Sequence, residues 1–185
     1  AFAESAPAAV REASKSVVRV ISETDSGTAF GTGFAIGETS PVSYIVTNYH
    51  VVDGAKRVSV LLSRDNMIDA EVMTPLPASD IAILRLKSPI NINPVKLNDS
   101  EVKEGTGGYA LGFPGDVDAL SGAIDQEVKI RSGNISSQNS IQIYENFQAL
   151  SVYVLDVTIS NGDSGGPFVN DKGEVIGINF AKSNR

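Results

Sequence analysis

The chain is divided into short β-type runs, and almost nothing between them is long enough to be a helix. That cadence limits its fold more than any other feature. Val17–Ser22, Gly33–Ile36, Ser43–Thr47, Arg57–Ser63, Met67–Thr74 and Ile81–Leu86 are rich in β-branched residues and bounded by turn-formers. A second set follows at Tyr109–Gly112, Glu127–Ser136, Ile141–Tyr144, Leu150–Thr158, Gly166–Asn170 and Glu174–Ala181. Between the sets, the stretch from Ser88 to Gly105 is polar, contains Pro89 and Pro94, and has no periodicity. Short strands at this spacing argue for sandwiches or barrels, not βαβ units. The expected class is all-β, with two six-stranded antiparallel β-barrels at 17–88 and 105–185 joined by a linker at 89–104. A short N-terminal helix is expected within residues 1–16, with Ser5 as its cap and Pro7 tolerated in its first turn.

A chain of 185 residues suits one domain, or one built from two small lobes. By size scaling it buries about 70% of its unfolded surface, enough for a core without staples. It has no cysteine and one histidine, which excludes disulfides, thiolate metal sites, a cysteine nucleophile and a histidine-rich zinc site. No cofactor is expected. Asp116-Val117-Asp118 resembles half of a calcium loop but has no further acids at loop spacing, so a solvated turn is the better reading. The net charge of −7 comes without a basic patch, which argues against nucleic acid as a partner. No apolar run approaches the ~18 residues of a bilayer span. Ala1-Phe2-Ala3 has the small-residue character of a secretory cleavage site. The expectation is an extracytoplasmic protein, touching a membrane only through an anchor outside this chain.

One loop stands apart. Asn161-Gly162-Asp163-Ser164-Gly165-Gly166-Pro167 lies between two strand-like runs and places a serine hydroxyl at the centre of a glycine-rich turn. Glycine lets backbone amides approach closely and take positive φ. Such a loop is either a connecting turn or a nucleophile elbow with an oxyanion hole made from its own amides. The single histidine, His50, follows the apolar run Tyr44-Ile45-Val46-Thr47 at a strand end. Alone, it reads as a surface or satisfied core residue. Of the aspartates between His50 and Ser164, most sit in polar turns, whereas Asp80 opens the most apolar strand of the first lobe. A carboxylate at a core edge needs a partner to offset lost hydration, although a strand cap would also serve.

Taken together, the three suggest a relay. Serine is a weak nucleophile until a base accepts its proton, and the imidazole needs a carboxylate to fix its tautomer. Chain order separates the folds that use this chemistry. An α/β-hydrolase needs its histidine after the serine, and residues 165–185 contain none. The subtilisin order needs an acid before the histidine, in an α/β fold that this sequence does not resemble. His50, Asp80 and Ser164 follow the order found in double β-barrel proteases.

Thr47-Asn48-Tyr49-His50-Val51-Val52, Ser79-Asp80-Ile81-Ala82-Ile83-Leu84 and Gly162-Asp163-Ser164-Gly165-Gly166-Pro167 resemble the three signatures of chymotrypsin-like serine proteases of the cysteine-free HtrA/DegP type. Gly31-Thr32-Gly33-Phe34, Ala110 to Pro114, Ser132 to Ser136 and Val175 to Asn179 add to the resemblance, which runs from about Val17 to Ala181. It implies a serine endopeptidase acting on protein or peptide substrates, with Ser164 as nucleophile, His50 as general base and Asp80 orienting it. The amides of Gly162 and Ser164 would form the oxyanion hole. By family correspondence Thr158, with Ile159, lies at the base of the specificity pocket, and Ile178, Asn179, Phe180 and Ala181 line its wall. With no acid at the pocket base, the resemblance implies a small or medium apolar residue before the scissile bond.

The chain departs from that family in two places. Asp163 stands where HtrA-type enzymes usually have asparagine, and no Ile-Val-Gly-Gly-like start supplies the amine that such an aspartate receives in the trypsin branch. The chain also stops at Arg185, four residues past Ala181, where the family normally supplies one more strand and often a helix, and it carries no peptide-binding C-terminal domain. A truncated second barrel is therefore expected. The rival reading is a catalytically silent relative that binds peptides or regulates a partner.

Overall fold

The computed structural model describes residues 6–63, 65–76, 80–98, 100, 102–103, 105–113, 128–145, 148–156 and 165–179. Helix α1 (Ala8–Ser14) is followed by strands β1 (Val17–Thr24), β2 (Gly27–Ile36) and β3 (Val42–Thr47). After a one-turn helix α2 (Tyr49–Val52) come β4 (Arg57–Ser63), β5 (Asn66–Leu76) and β6 (Ile81–Ile90). These six strands form a closed barrel in the order β1–β2–β3–β6–β5–β4, with β4 pairing back onto β1. None of the helices among the described residues is long and apolar enough to cross a membrane.

β1, β2, β3 and β6 carry consecutive buried residues that face both ways, which explains why they read as near-continuous apolar runs; β5 is exposed or half-buried along its described length. Val18, Val20, Ala35, Ile45, Ala82 and Leu84 fill the barrel interior. Their chain neighbours Val17, Phe34, Val46, Ile81 and Ile83 point the other way, into a second cluster shared with Leu111, Ile130, Val169 and Val175. The alternation follows from the two-residue period of a strand. β1, β2, β3 and β6 thus serve the barrel with one face and the second lobe with the other, whereas the buried apolar residues of β4 belong to the barrel interior alone. Val10 and Ala13 of α1 close the same second cluster.

The second sheet comprises β7 (Gly107–Gly112), β8 (Lys129–Glu145), β9 (Gln148–Asp156), β10 (Pro167–Val169) and β11 (Val175–Ile178). Its strands are paired in the order β10–β11–β9–β8–β7. β10 also meets β7 through two rungs, and β11 meets β9 at one parallel position, Gly177↔Tyr153. Three expectations change here. The second lobe has five strands among the described residues, not six, and they are not all antiparallel. The runs expected as Glu127–Ser136 and Ile141–Tyr144 are one long strand, β8. The residues between those runs are polar, but Ser137 still pairs with Val154 of β9, and pairing resumes at Ile141 after register shifts.

The stretch expected as a linker is stitched to both lobes. Ile90 still pairs with Val42 in β3. Pro89 falls beyond the last β5 rung, Leu86↔Ala70, where a missing N–H costs nothing. Val95 N donates to Ala35 O at 2.9 Å, and Val175 N donates to Lys96 O at 2.8 Å. The N-terminal helix is shorter than expected, starting at Ala8 after Pro7; Ser5 lies outside the described residues.

Two measurements check this packing. Leu84 is fully buried in the barrel interior, so Leu84→Ala should lower unfolding free energy in a urea titration by about 2–5 kcal/mol. On the barrel surface, Arg57 Nε donates to Asp69 Oδ1 at 2.9 Å. That hydrogen bond holds the Asp69 carboxyl below its ordinary pKa, against the opposing effect of desolvation. Stability from a depressed carboxylate is present above its unfolded pKa and lost as pH falls through the folded value. The stability gap between wild type and Asp69→Asn should therefore close as pH is lowered from neutral. A gap that does not change with pH would refute the assignment.

Candidate active site

The β3–β6 pairing decides where the site lies. In antiparallel register Thr47 at the end of β3 stands opposite Ala82 near the start of β6. The segments just outside that rung, Asn48 to His50 on one side and Asp80 on the other, are therefore neighbours despite their separation in sequence. The sequence suggested a strand end followed by a turn at His50. Instead, the residue rides on α2, whose Val51 and Val52 are buried in the barrel core. Ser22 Oγ donates to Val51 O at 2.6 Å and ties that turn to β1.

Asp80 has a φ of 53°, the only positive value at a non-glycine among the described residues. Its carbonyl accepts from Tyr49 N at 3.1 Å and from Asn48 Nδ2 at 2.9 Å. Its carboxylate is divided between two donors of one residue. Oδ1 accepts from His50 N at 2.7 Å, and Oδ2 lies 2.5 Å from His50 Nδ1. An ionised carboxylate only accepts, so Nδ1 carries the proton and the lone pair resides on Nε2. The His50 side chain is 30% exposed and that of Asp80 15%. The arrangement leaves a ring nitrogen of the imidazole basic and the ring fixed in one orientation. Tyr49 turns outward, where its hydroxyl donates to Asp53 Oδ1 at 3.0 Å. That bond raises the phenol's pKa.

The glycine-rich loop enters the described residues at Gly165, directly after Ser164. Gly165 has a φ of +92°, and a Cβ there would lie 2.2 Å from Thr32 O and 2.4 Å from Thr47 Oγ1. The residue is thus seated against the same strand end that leads to His50, in a notch that no other side chain fits. Thr47 Oγ1 donates to Thr32 O at 2.8 Å, and Thr32 Oγ1 accepts from Phe113 N at 3.0 Å. Gly165 N donates to Asn179 O at 3.0 Å, and Asn179 N donates to Gly166 O at 2.8 Å.

Of the residues expected in the specificity pocket, Ile178 is buried in the core shared by the two lobes. Asn179 is fully buried, and its Nδ2 donates to Leu111 O at 3.2 Å. Thr158, Ile159, Gly162, Asp163, Ser164, Phe180 and Ala181 lie outside the described residues, as do Asp116 and Asp118. Asn48, Thr32 and Thr47 were not among the expected site residues. They stand inside motifs already noted, but nothing in a single sequence marks the contacts they make.

Comparison with known proteins gives a consistent picture. The trypsin-like peptidase domain family matches residues 31–178. The periplasmic serine endoprotease DegP of Salmonella typhimurium is 36% identical over 157 residues, covering 83% of this chain and 30% of that protein. DegP of Escherichia coli K12 is 37% identical over 155 residues with the same coverage. The chain thus spans about 30% of the length of these curated relatives. Among solved structures, the active form of an M. tuberculosis protease aligns with a TM-score of 0.69 at 26% identity, over 94% of this chain and 76% of that one. A serine endoprotease from Yersinia pestis aligns with a TM-score of 0.68 at 25% identity, over 92% of this chain and 55% of that one. The fold is chymotrypsin-like.

The notch at Gly165 can be tested by filling it. Gly165→Ala meets both a positive φ and a backbone oxygen that cannot move aside, so it should destabilise the chain by more than about 1 kcal/mol in chemical denaturation. A variant as stable as wild type would show that the contact is not a tight one.

Proposed function

This chain belongs to the trypsin-like peptidase domain family, and on that premise we propose that it is a serine endopeptidase of the HtrA/DegP type. The observation that carries this reading is the His50–Asp80 pair. Both carboxylate oxygens are committed to one histidine, and its Nε2 remains as the base.

In the proposed mechanism Ser164 Oγ attacks the scissile carbonyl carbon while His50 Nε2 takes the hydroxyl proton. Asp80 stabilises the imidazolium without accepting the proton. The amides of Gly162 and Ser164 donate to the oxyanion of the tetrahedral intermediate; loss of one such donor costs about 10²–10³ in turnover. Collapse breaks the C–N bond, the imidazolium returns its proton to the leaving amine, and an ester to Ser164 remains. Water then repeats the sequence, losing a proton to His50 and releasing the acid. The Gly165 notch supports this reading, because it seats the residue after Ser164 against the strand end that leads to His50.

Thr158 and Ile159 would form the pocket base, with Ile178, Asn179, Phe180 and Ala181 along its wall, and favour a small or medium apolar side chain before the cleaved bond. Residues 105–185 would belong to a second barrel completing a single protease domain. The relatives' periplasmic names support an extracytoplasmic location.

An activated fluorophosphonate should label the wild-type chain and leave Ser164→Ala unlabelled. Absence of wild-type labelling at every pH tested would favour a catalytically silent peptide-binding relative. Asp80→Asn should reduce peptide turnover by about 10⁴, because the neutral amide would hold the wrong tautomer of His50. A peptide-library profile dominated by Lys or Arg before the cleaved bond would overturn the apolar preference.

A further inference from the structure

Next to the His50–Asp80 pair lies a buried carboxamide that the proposed chemistry does not use. Asn48 is 2% exposed and occupies the N-cap position of α2. An asparagine there ordinarily accepts a hydrogen bond from a backbone N–H in the first turn. Asn48 makes no such bond. Its Nδ2 reaches across to the carbonyl of Asp80 at 2.9 Å, and its Oδ1 is buried without a hydrogen-bond partner among the described residues. A forgone cap and a desolvated acceptor both work against stability. The fold alone gives no reason to keep this residue.

The reason lies in the backbone it holds. Asp80 is in the left-handed region, which a residue with a Cβ enters only when its surroundings impose it. Rotation of that residue toward extended backbone would carry its carboxylate away from His50. Two donors pin the Asp80 carbonyl. Tyr49 N comes from the backbone and would be present with almost any side chain, so the carboxamide of Asn48 is the contribution specific to this sequence. We propose that Asn48 is a positioning residue. It locks Asp80 in the left-handed conformation, so that one carboxylate oxygen meets the His50 amide and the other meets Nδ1. The consequence for catalysis rests on the protease reading above; the effect on the Asp80–His50 pair does not.

Asn48→Leu, close to the same size, removes both the donor and the orphaned acceptor. The chain has one histidine, so nitrogen–proton correlation NMR reports the His50 ring without ambiguity. The expected result is a melting temperature no lower than that of wild type, with the Nδ1 signal moved toward that of Asp80→Asn. Fluorophosphonate labelling of Ser164 should slow at least about tenfold, and peptide kcat should fall while KM holds. An unmoved His50 spectrum would overturn the proposal, whether labelling were unchanged or fell in step with melting temperature. Should Asn48→Leu not fold, Asn48→Ala takes its place under the same readouts; failure of both would mean a structural role and would also overturn it. If the wild type were itself unlabelled, the protease reading would fall. A moved His50 signal in Asn48→Leu would then still uphold the positioning role.

Discussion

The antiparallel pairing of β3 with β6 is the constraint on which the molecule turns. The Thr47↔Ala82 rung places the exit of one strand beside the entrance of the other. An imidazole and a carboxylate thirty residues apart thereby come within hydrogen-bonding reach. The apolar residues of both strands are buried on two faces, so the pairing can slip only by exchanging the barrel interior with the seam between the lobes. A one-residue slip would move Leu84 and Ala82 out of the barrel and Ile83 and Ile81 into it. Site geometry and core packing are therefore set by the same register.

The second lobe depends on that strand end as well. Gly165 is seated on Thr32 O and Thr47 Oγ1, so the loop after Ser164 takes its position from the first barrel and not only from its own sheet. The backbone exchange between Gly165, Gly166 and Asn179 fastens the loop to the end of β11. The former linker adds a third tie through Val95 and Lys96. The proposed site would draw on both lobes and need such fixed seams, because small displacements between reacting groups cost large factors in rate.

Around Asp80 the structure accepts local unfavourable terms. A non-glycine residue holds a left-handed φ, and a neighbouring asparagine leaves its oxygen without a donor among the described residues. Asn179, beside Gly165, likewise buries its Oδ1 without a hydrogen-bond partner among the described residues, while most of the remaining core is apolar. Departures from local preference that cluster at one place are the pattern expected where geometry is held for chemistry and not for stability.

Much of this was legible in the chain. The strand cadence foretold an all-β protein and the barrel at 17–88, because strands buried on both faces leave dense β-branched runs between turn residues. The order of His50, Asp80 and the loop around Ser164 separated one family of folds from two others. What the chain could not display was decided by contacts between distant segments. The one-turn helix under His50 looks like a strand end, because Val51 and Val52 satisfy a helix and a strand equally well until the barrel end receives them. Residues 137–140 fell between two expected strands although β8 runs through them, because backbone pairing with β9 overrides side-chain composition. Asn48 carried no reading of its own in the sequence, and only the register of β3 against β6 brings the Asp80 carbonyl within its reach. The sequence by itself thus determined the class of fold and the residue types available for chemistry, since both are written in local pattern and order. Tertiary structure alone decided the left-handed turn at Asp80, the notch for Gly165 and the bond from Asn48. Each of these exists only where two strands far apart in sequence are held in register.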